Sequence, residues 1–109
     1  MASTAWVIIW QFKVSPISKS IFEQYYGQDG EWVQLFRQHP GYLWSKLYQD
    51  VQEKNIYVTC DYWQSLQAYK EFKEQFRQPY QQLDIYCEKL TTAEALIMET
   101  MTNIDLSFM

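Results

Sequence analysis

The stretch from Trp6 to Val14, Trp-Val-Ile-Ile-Trp-Gln-Phe-Lys-Val, constrains the fold more than any other part of the chain. Read with a period of two, one parity gives Trp6, Ile8, Trp10, Phe12 and Val14, all apolar. The other gives Val7, Ile9, Gln11 and Lys13, apolar at first and then polar. A strand with one wet face alternates cleanly, whereas a strand covered on both faces is almost continuously apolar. This strand is therefore expected to be covered on both faces for much of its length. With 109 residues the chain has the size of one domain, and a lone domain of that size builds a core more readily than an enclosed ligand cavity.

The rest of the chain supplies the cover. Residues 16–26 read as a helix with Ser18 as a candidate N-cap, and Gly27 to Gly30 interrupt it. A second helical piece carries Trp32, Val33, Leu35 and Phe36 and stops at His39-Pro40-Gly41. Residues 42–49 and 56–63 read as strands joined by a polar hairpin connection over 50–55. Ser65 can cap a long helical stripe of Tyr69, Phe72, Phe76, Tyr80, Leu83, Cys87 and Leu90, broken or restarted at Pro79. Residues 94–101 read as a fourth strand and 102–109 as an extended tail, so the expected core spans about 6–101 of a single domain, 1–109.

The order is β-α-β-β-α-β, which gives an α+β, ferredoxin-like domain with an antiparallel sheet. Right-handed crossovers place both helical regions on one sheet face and leave the other bare. On the third strand, Ile56, Val58, Cys60 and Tyr62 have the look of a core face, while Tyr57, Thr59, Asp61 and Trp63 form a mixed face. Whichever parity points outward, the bare face must carry several of Trp6, Val7, Ile9, Trp10, Tyr57 and Trp63. An apolar patch of that kind marks an interaction surface, and a second copy of the chain is the expected partner, with the two sheets stacked face to face.

Composition removes several classes of function. Nine Lys and Arg against thirteen Asp and Glu give a net charge of −4, and the basic residues are scattered. No basic stripe is available to track a phosphate backbone, so nucleic acid is not an expected partner. The first residues lack the basic flank of a signal peptide, and no apolar run approaches the ~20 residues needed to span a bilayer. The expected location is cytoplasmic, without membrane contact. Cys60 and Cys87 stand apart with no C-x-x-C spacing and read as reduced fillers. One His and two distant Cys offer no metal-ligand spacing, and Gly27-x-x-Gly30 lacks the strand before it and the Lys after it that a phosphate loop needs. The expectation is no metal and no cofactor.

The mixed face of the third strand is the best candidate for chemistry. Alternate strand residues point the same way, so Tyr57, Thr59, Asp61 and Trp63 can wall a pocket with Trp10 and Trp32. Aromatic rings would grip a planar substrate. A carboxylate among apolar walls acquires a raised pKa and can serve as a base near neutrality, which makes Asp61 the catalytic candidate. The plainer reading has Asp61 capping a backbone N–H and Trp63 packing at a helix start. For the lone His39, at the end of a helical piece beside Arg37, favourable placement at a helix C-terminus is a sufficient account.

The segments Tyr26-Gly27-x-Asp29-Gly30-x-Trp32-x-x-Leu35-Phe36, Pro40-Gly41-Tyr42 and Tyr57-x-Thr59-x-Asp61-x-Trp63-x-Ser65, continued by Tyr80-x-x-Leu83-Asp84-x-x-Cys87-Glu88-x-Leu90-Thr91 and Glu94, resemble the antibiotic-biosynthesis-monooxygenase-like proteins of the dimeric α/β-barrel superfamily. The resemblance implies the ferredoxin-like fold and a homodimer. Members of known activity include cofactor-independent monooxygenases of polyphenolic substrates and haem-degrading monooxygenases. In the haem-degrading branch, an Asn on the first strand, a Trp ending the third strand and a His on the next helix build the site. Trp63 resembles that Trp, but residues 6–14 contain no Asn and residues 64–90 no His, so haem degradation is disfavoured. The resemblance leaves two expectations open: a cofactor-independent monooxygenase of a small aromatic or polyphenolic substrate, or a non-catalytic homodimer that binds a small molecule or is purely structural.

Overall fold

The computed structural model of the chain describes the backbone of residues 2–105 and the side chains of residues 4–104. The elements are β1 (Ala2–Val14), a short 3-10 turn (Pro16–Ser18), α1 (Lys19–Tyr26), α2 (Glu31–Phe36), β2 (Tyr42–Gln49), β3 (Ile56–Trp63), α3 (Leu66–Gln75), α4 (Arg77–Glu88) and β4 (Thr91–Asp105). The four strands form one antiparallel sheet in the order β2-β3-β1-β4. This is the ferredoxin-like α+β arrangement that the element order predicts.

The boundaries differ from the sequence reading at both ends. β1 begins at Ala2 rather than Trp6, and β4 runs from Thr91 to Asp105, so residues 102–105 continue a strand where a tail is expected. Pairing explains both extensions: Ala2 to Ala5 sit opposite Asp105 to Thr102 and lengthen each other's hydrogen-bonded ladder. Residues 106–109 of the expected tail lie outside the described residues.

Pairing also settles which side of the sheet is which. In the β1–β3 register, Trp6, Ile8, Trp10 and Phe12 oppose Trp63, Asp61, Thr59 and Tyr57, and opposed residues share a face. Phe12 packs on Phe22 of α1 with ring centroids 5.4 Å apart, and Trp63 packs on Phe72 of α3 at 4.9 Å. The mixed face of β3 is therefore the one under the helices, the reverse of the expectation that Ile56, Val58, Cys60 and Tyr62 face the core. These four lie on the open side with Val7 and Ile9. Area decides the parity: the odd residues of β3 pair with the all-apolar parity of β1, and that choice buries Trp63 and Tyr57 together with Phe12. Each such aromatic, fully buried, contributes about 1.5–3 kcal/mol. The bare face accordingly carries none of Trp6, Trp10, Tyr57 and Trp63.

Local chemistry explains where the helices start and stop. Ser65 Oγ accepts from the N–H of Ala68 at 3.0 Å and caps α3. Ser18 precedes α1 without a capping bond from its side chain; its hydroxyl accepts from Ser15 Oγ instead, at 3.0 Å. The chain breaks at Phe76, and Pro79 falls in the first turn of α4, where its missing N–H costs no intrahelical bond. Between α1 and α2, Asp29 adopts a positive φ of 61°. The Gly30 Cα lies so close to the carbonyls of Gln24 and Tyr25 that any side chain there would collide with backbone. That tight reversal brings Trp32 and Phe36 back over the sheet. Among the described residues no helix is long and apolar enough to cross a membrane.

Candidate active site

A cavity of about 270 Å³ lies between the helix-facing side of the sheet and the helices above it. Its floor is Trp10 and Phe12 from β1 with Thr59 and Asp61 from β3. Tyr26 closes it from α1, and Trp32, Val33 and Phe36 wall it from α2. Lys73 of α3, Tyr80 and Asp84 of α4, and Glu94 of β4 complete the lining. Trp32, Val33, Phe36 and Thr59 are buried, whereas Lys73 and Glu94 are exposed, so the interior is aromatic and the mouth is charged. The volume falls just under the ~300–1,000 Å³ usual for small-molecule sites, which suits a ligand of one or two rings.

Of the candidate residues, Trp10, Trp32, Thr59 and Asp61 line this cavity together. Tyr57 and Trp63 point to the same side of the sheet but are 1% and 0% exposed and are absorbed by packing. Tyr57 packs at a tilt against Phe22, with ring centroids 4.9 Å apart, and donates its hydroxyl to Glu23 of α1. Trp63 is enclosed by Phe36, Tyr42, Tyr69 and Phe72, with ring centroids 4.9–5.5 Å away. It holds the end of β3 under α3 and does not border the cavity. His39 is buried; its Nδ1 accepts from the N–H of Gly41 at 2.9 Å and thereby fixes the turn into β2. It serves there as a hydrogen-bond acceptor in the turn, and it too lies away from the cavity.

Asp61 does not cap a backbone N–H. Its Oδ1 accepts from Ser45 Oγ at 2.7 Å, and Ser45 lies 2.7 Å from the hydroxyl of Tyr42. A β-bulge at the start of β2, between Tyr42 and Trp44, lets both Tyr42 and Ser45 face the helix side. Burial lifts the Asp61 carboxyl from 3.8 to about 6, opposed by the Ser45 hydroxyl, which favours the carboxylate. A carboxyl lifted that far can take up and release a proton near neutral pH. Tyr42 and Ser45 also border a second cleft of about 440 Å³ beside β2, so this hydroxyl pair offers a path by which a proton on Asp61 can leave.

Thr59 is 4% exposed, and its Oγ1 has no hydrogen-bond partner among the described residues. An unpaired buried hydroxyl costs about 1–3 kcal/mol, and this one borders the cavity beside Asp61. The pair can hold a polar group of a ligand while the rings stack on its body. At the mouth, burial followed by the charges of Asp84, Asp61 and Glu94 raises the Tyr80 phenol to about 12. Burial and the nearby Asp84 and Glu88 raise the Glu94 carboxyl as well. Among the described residues no group of three or more His, Cys, Asp or Glu is placed to hold a metal ion.

Sequence reasoning about the site missed Ser45, Asp84 and Glu94. Asp84 could have been found, since it follows Tyr80 by four residues on the helical stripe and so shares its face. Ser45 could not, because the bulge shifts the register of β2 by one residue.

The model of the antibiotic biosynthesis monooxygenase family matches residues 7–78. Among proteins with curated descriptions none matches the chain. Solved structures with the same fold include SnoaB, a cofactor-independent oxygenase from Streptomyces nogalater, at 14% identity and a TM-score of 0.63 over 93% of this chain and 91% of that one. Rv0793 from Mycobacterium tuberculosis is 17% identical, with a TM-score of 0.63 over 94% of each chain. PA3566 from Pseudomonas aeruginosa is 16% identical, with a TM-score of 0.64 over 94% of this chain and 93% of that one. At these identities the structures establish a shared fold, and the family match across most of the chain establishes kinship. The chain belongs to the antibiotic biosynthesis monooxygenase family.

Proposed function

We propose that the protein is a cofactor-independent monooxygenase of a small phenolic or polyphenolic substrate, held in the cavity between the sheet and the helices. One observation carries the reading: Asp61, with its proton affinity lifted to about pH 6, and the unpartnered Thr59 hydroxyl meet in a cavity otherwise walled by Trp10, Phe12, Tyr26, Trp32 and Phe36. Asp61 takes the proton of a ring hydroxyl, which makes the ring electron-rich. The ring passes electrons to molecular oxygen; one oxygen atom becomes a new ring carbonyl and the other leaves as water with the two displaced hydrogens. A phenol plus O₂ thus gives a quinone plus H₂O, balanced without any further reductant. The protein contributes a dry, shaped enclosure, a base and the orientation of the ring. The His and Asn that a haem-degrading site would need are missing from the expected positions, which supports phenol over haem.

The same reading takes the functional unit to be a homodimer. Among the described residues no helix lies over the open sheet face, which carries Ile9, Val58 and Met98, with Trp44 stacked on Tyr62 at 5.1 Å. Two such faces shield one another, and sedimentation at micromolar concentration is expected to give twice the chain mass. Two free cysteines fit a reducing, cytoplasmic setting.

The enzymatic test is turnover of hydroquinones and simple polyphenols under ¹⁸O₂. One labelled oxygen per product, lost in Asp61→Asn while ligand binding persists, supports the mechanism. Binding with no oxygen consumed by any member of the panel would leave the protein a binding module and end the enzymatic reading.

A further inference from the structure

The charges around the cavity narrow the kind of ligand it accepts. Among the described residues three carboxylates line it, Asp61, Asp84 and Glu94, against one cation, Lys73. They come from β3, α4 and β4, so the fold rather than local sequence gathers them. All three act on the same phenol, that of Tyr80, and the charge of Asp84 also acts on Glu94. The one cation is already engaged: Lys73 Nζ lies 4.8 Å from the ring centre of Tyr80 and 5.5 Å from that of Tyr69. It shows that this mouth holds an ammonium group against aromatic faces, the arrangement by which proteins recognise organic cations. The Thr59 hydroxyl, buried and unpartnered deeper in the same cavity, is an independent sign that a ligand's polar group reaches the floor.

From this arrangement we infer that the ligand is a cationic aromatic: a phenolic ring seated among Trp10, Trp32 and Phe36, carrying an ammonium group that lies at the mouth among Asp84, Glu94 and Tyr80. The inference rests on the aromatic-ligand reading of the cavity but not on turnover. It also eases the chemistry of that reading. Proton transfer to Asp61 moves a negative charge onto the ring without changing the total, and an ammonium on the substrate offsets the carboxylates of Asp84 and Glu94 that stay beside it. A ligand ending in a carboxylate would meet Asp84 and Glu94, with Lys73, already held against Tyr80 and Tyr69, as the one cation of the described lining to offset them.

Three probes with the same ring and different tails test this by calorimetric titration of the intact protein: tyramine, 4-ethylphenol and 3-(4-hydroxyphenyl)propionate. At low ionic strength tyramine is expected to bind about tenfold tighter than 4-ethylphenol, the combined effect of a few part-exposed charge pairs and a cation–π contact. The propionate is expected to bind weakest. The preference should shrink toward parity in 0.5 M salt and fall several-fold in Glu94→Gln and in Asp84→Asn, with little change for 4-ethylphenol. Equal affinity for the three probes, or a preference for the propionate, would overturn the inference. So would a tyramine preference unchanged in both variants. Oxygen consumption is read separately: turnover of neutral phenols without cation preference would sink this inference alone, and cation preference without turnover would sink only the enzymatic reading.

Discussion

Asp61→Asn is expected to change the pH dependence of stability in a direction opposite to that of most carboxylate removals. Burial lifts Asp61 from 3.8 to about 6 in the folded protein, whereas the unfolded chain titrates near the lower value. Between the two, the native state binds more protons than the unfolded state, so this group's contribution to stability is complete below about pH 3.8 and is lost as pH rises through about 6. The full difference corresponds to roughly 3 kcal/mol. Between pH 5 and pH 8, where the protein is easier to handle, the loss is about 1.4 kcal/mol. Asparagine keeps an acceptor for Ser45 Oγ and fits the same space but carries no charge. The variant should therefore gain stability relative to the wild type as pH rises, by about 1.4 kcal/mol from pH 5 to pH 8. Urea denaturation followed by tryptophan fluorescence, at fixed protein concentration and at several pH values, measures this directly, since the other titrating groups cancel in the difference. A flat difference between the two proteins, or one of opposite sign, would show that Asp61 is not desolvated and refute the account of the site.

Three further outcomes follow from the same contacts. Ser45→Ala removes the donor that favours the Asp61 carboxylate, so the Asp61 carboxyl should titrate about one pH unit higher, as followed by carbon-detected NMR; an unchanged titration would mean that the bond contributes nothing. Trp63→Ala should cost about 3–5 kcal/mol, because the side chain is fully enclosed by aromatic rings. That is much of what a domain of this size has, so its denaturation midpoint should collapse whatever ligand is present, whereas loss of ligand binding alone with stability intact would place Trp63 in the site after all. Ser65→Ala deletes the cap of α3 and should lower stability by about 1 kcal/mol with no effect on ligand affinity; a stability within error of the wild type would show that the cap is dispensable.

The element order was legible because each element carried its own period: the stripe from Tyr69 to Leu90 at spacings of three and four, and β1 and β3 at a period of two. Ser65, Pro79 and the Gly27–Gly30 break marked their boundaries by local chemistry that acts the same way in any fold. The facing of β3 was not legible. Both parities are apolar enough for a core, and the choice depends on which residues of β1 lie opposite, a long-range fact. The same ambiguity assigned Tyr57 and Trp63 to a pocket wall. They point in the predicted direction, but the rings of α1 and α3 reach them first. Thr59 and Asp61, shorter than their neighbours, leave the space that becomes the cavity. The site thus consists of gaps between large side chains, which alternation along one strand cannot reveal.

An aromatic ligand is expected to sit between the sheet and the helices, with its polar group on Asp61 and Thr59. A crystal structure of the protein soaked with tyramine or a simple hydroquinone tests it most directly. Ring density is expected between Trp10 and Trp32, with a ligand oxygen within hydrogen-bond distance of both Asp61 and Thr59. Ligand seated on the open sheet face, or a cavity closed by rearranged side chains at saturating ligand, would contradict it.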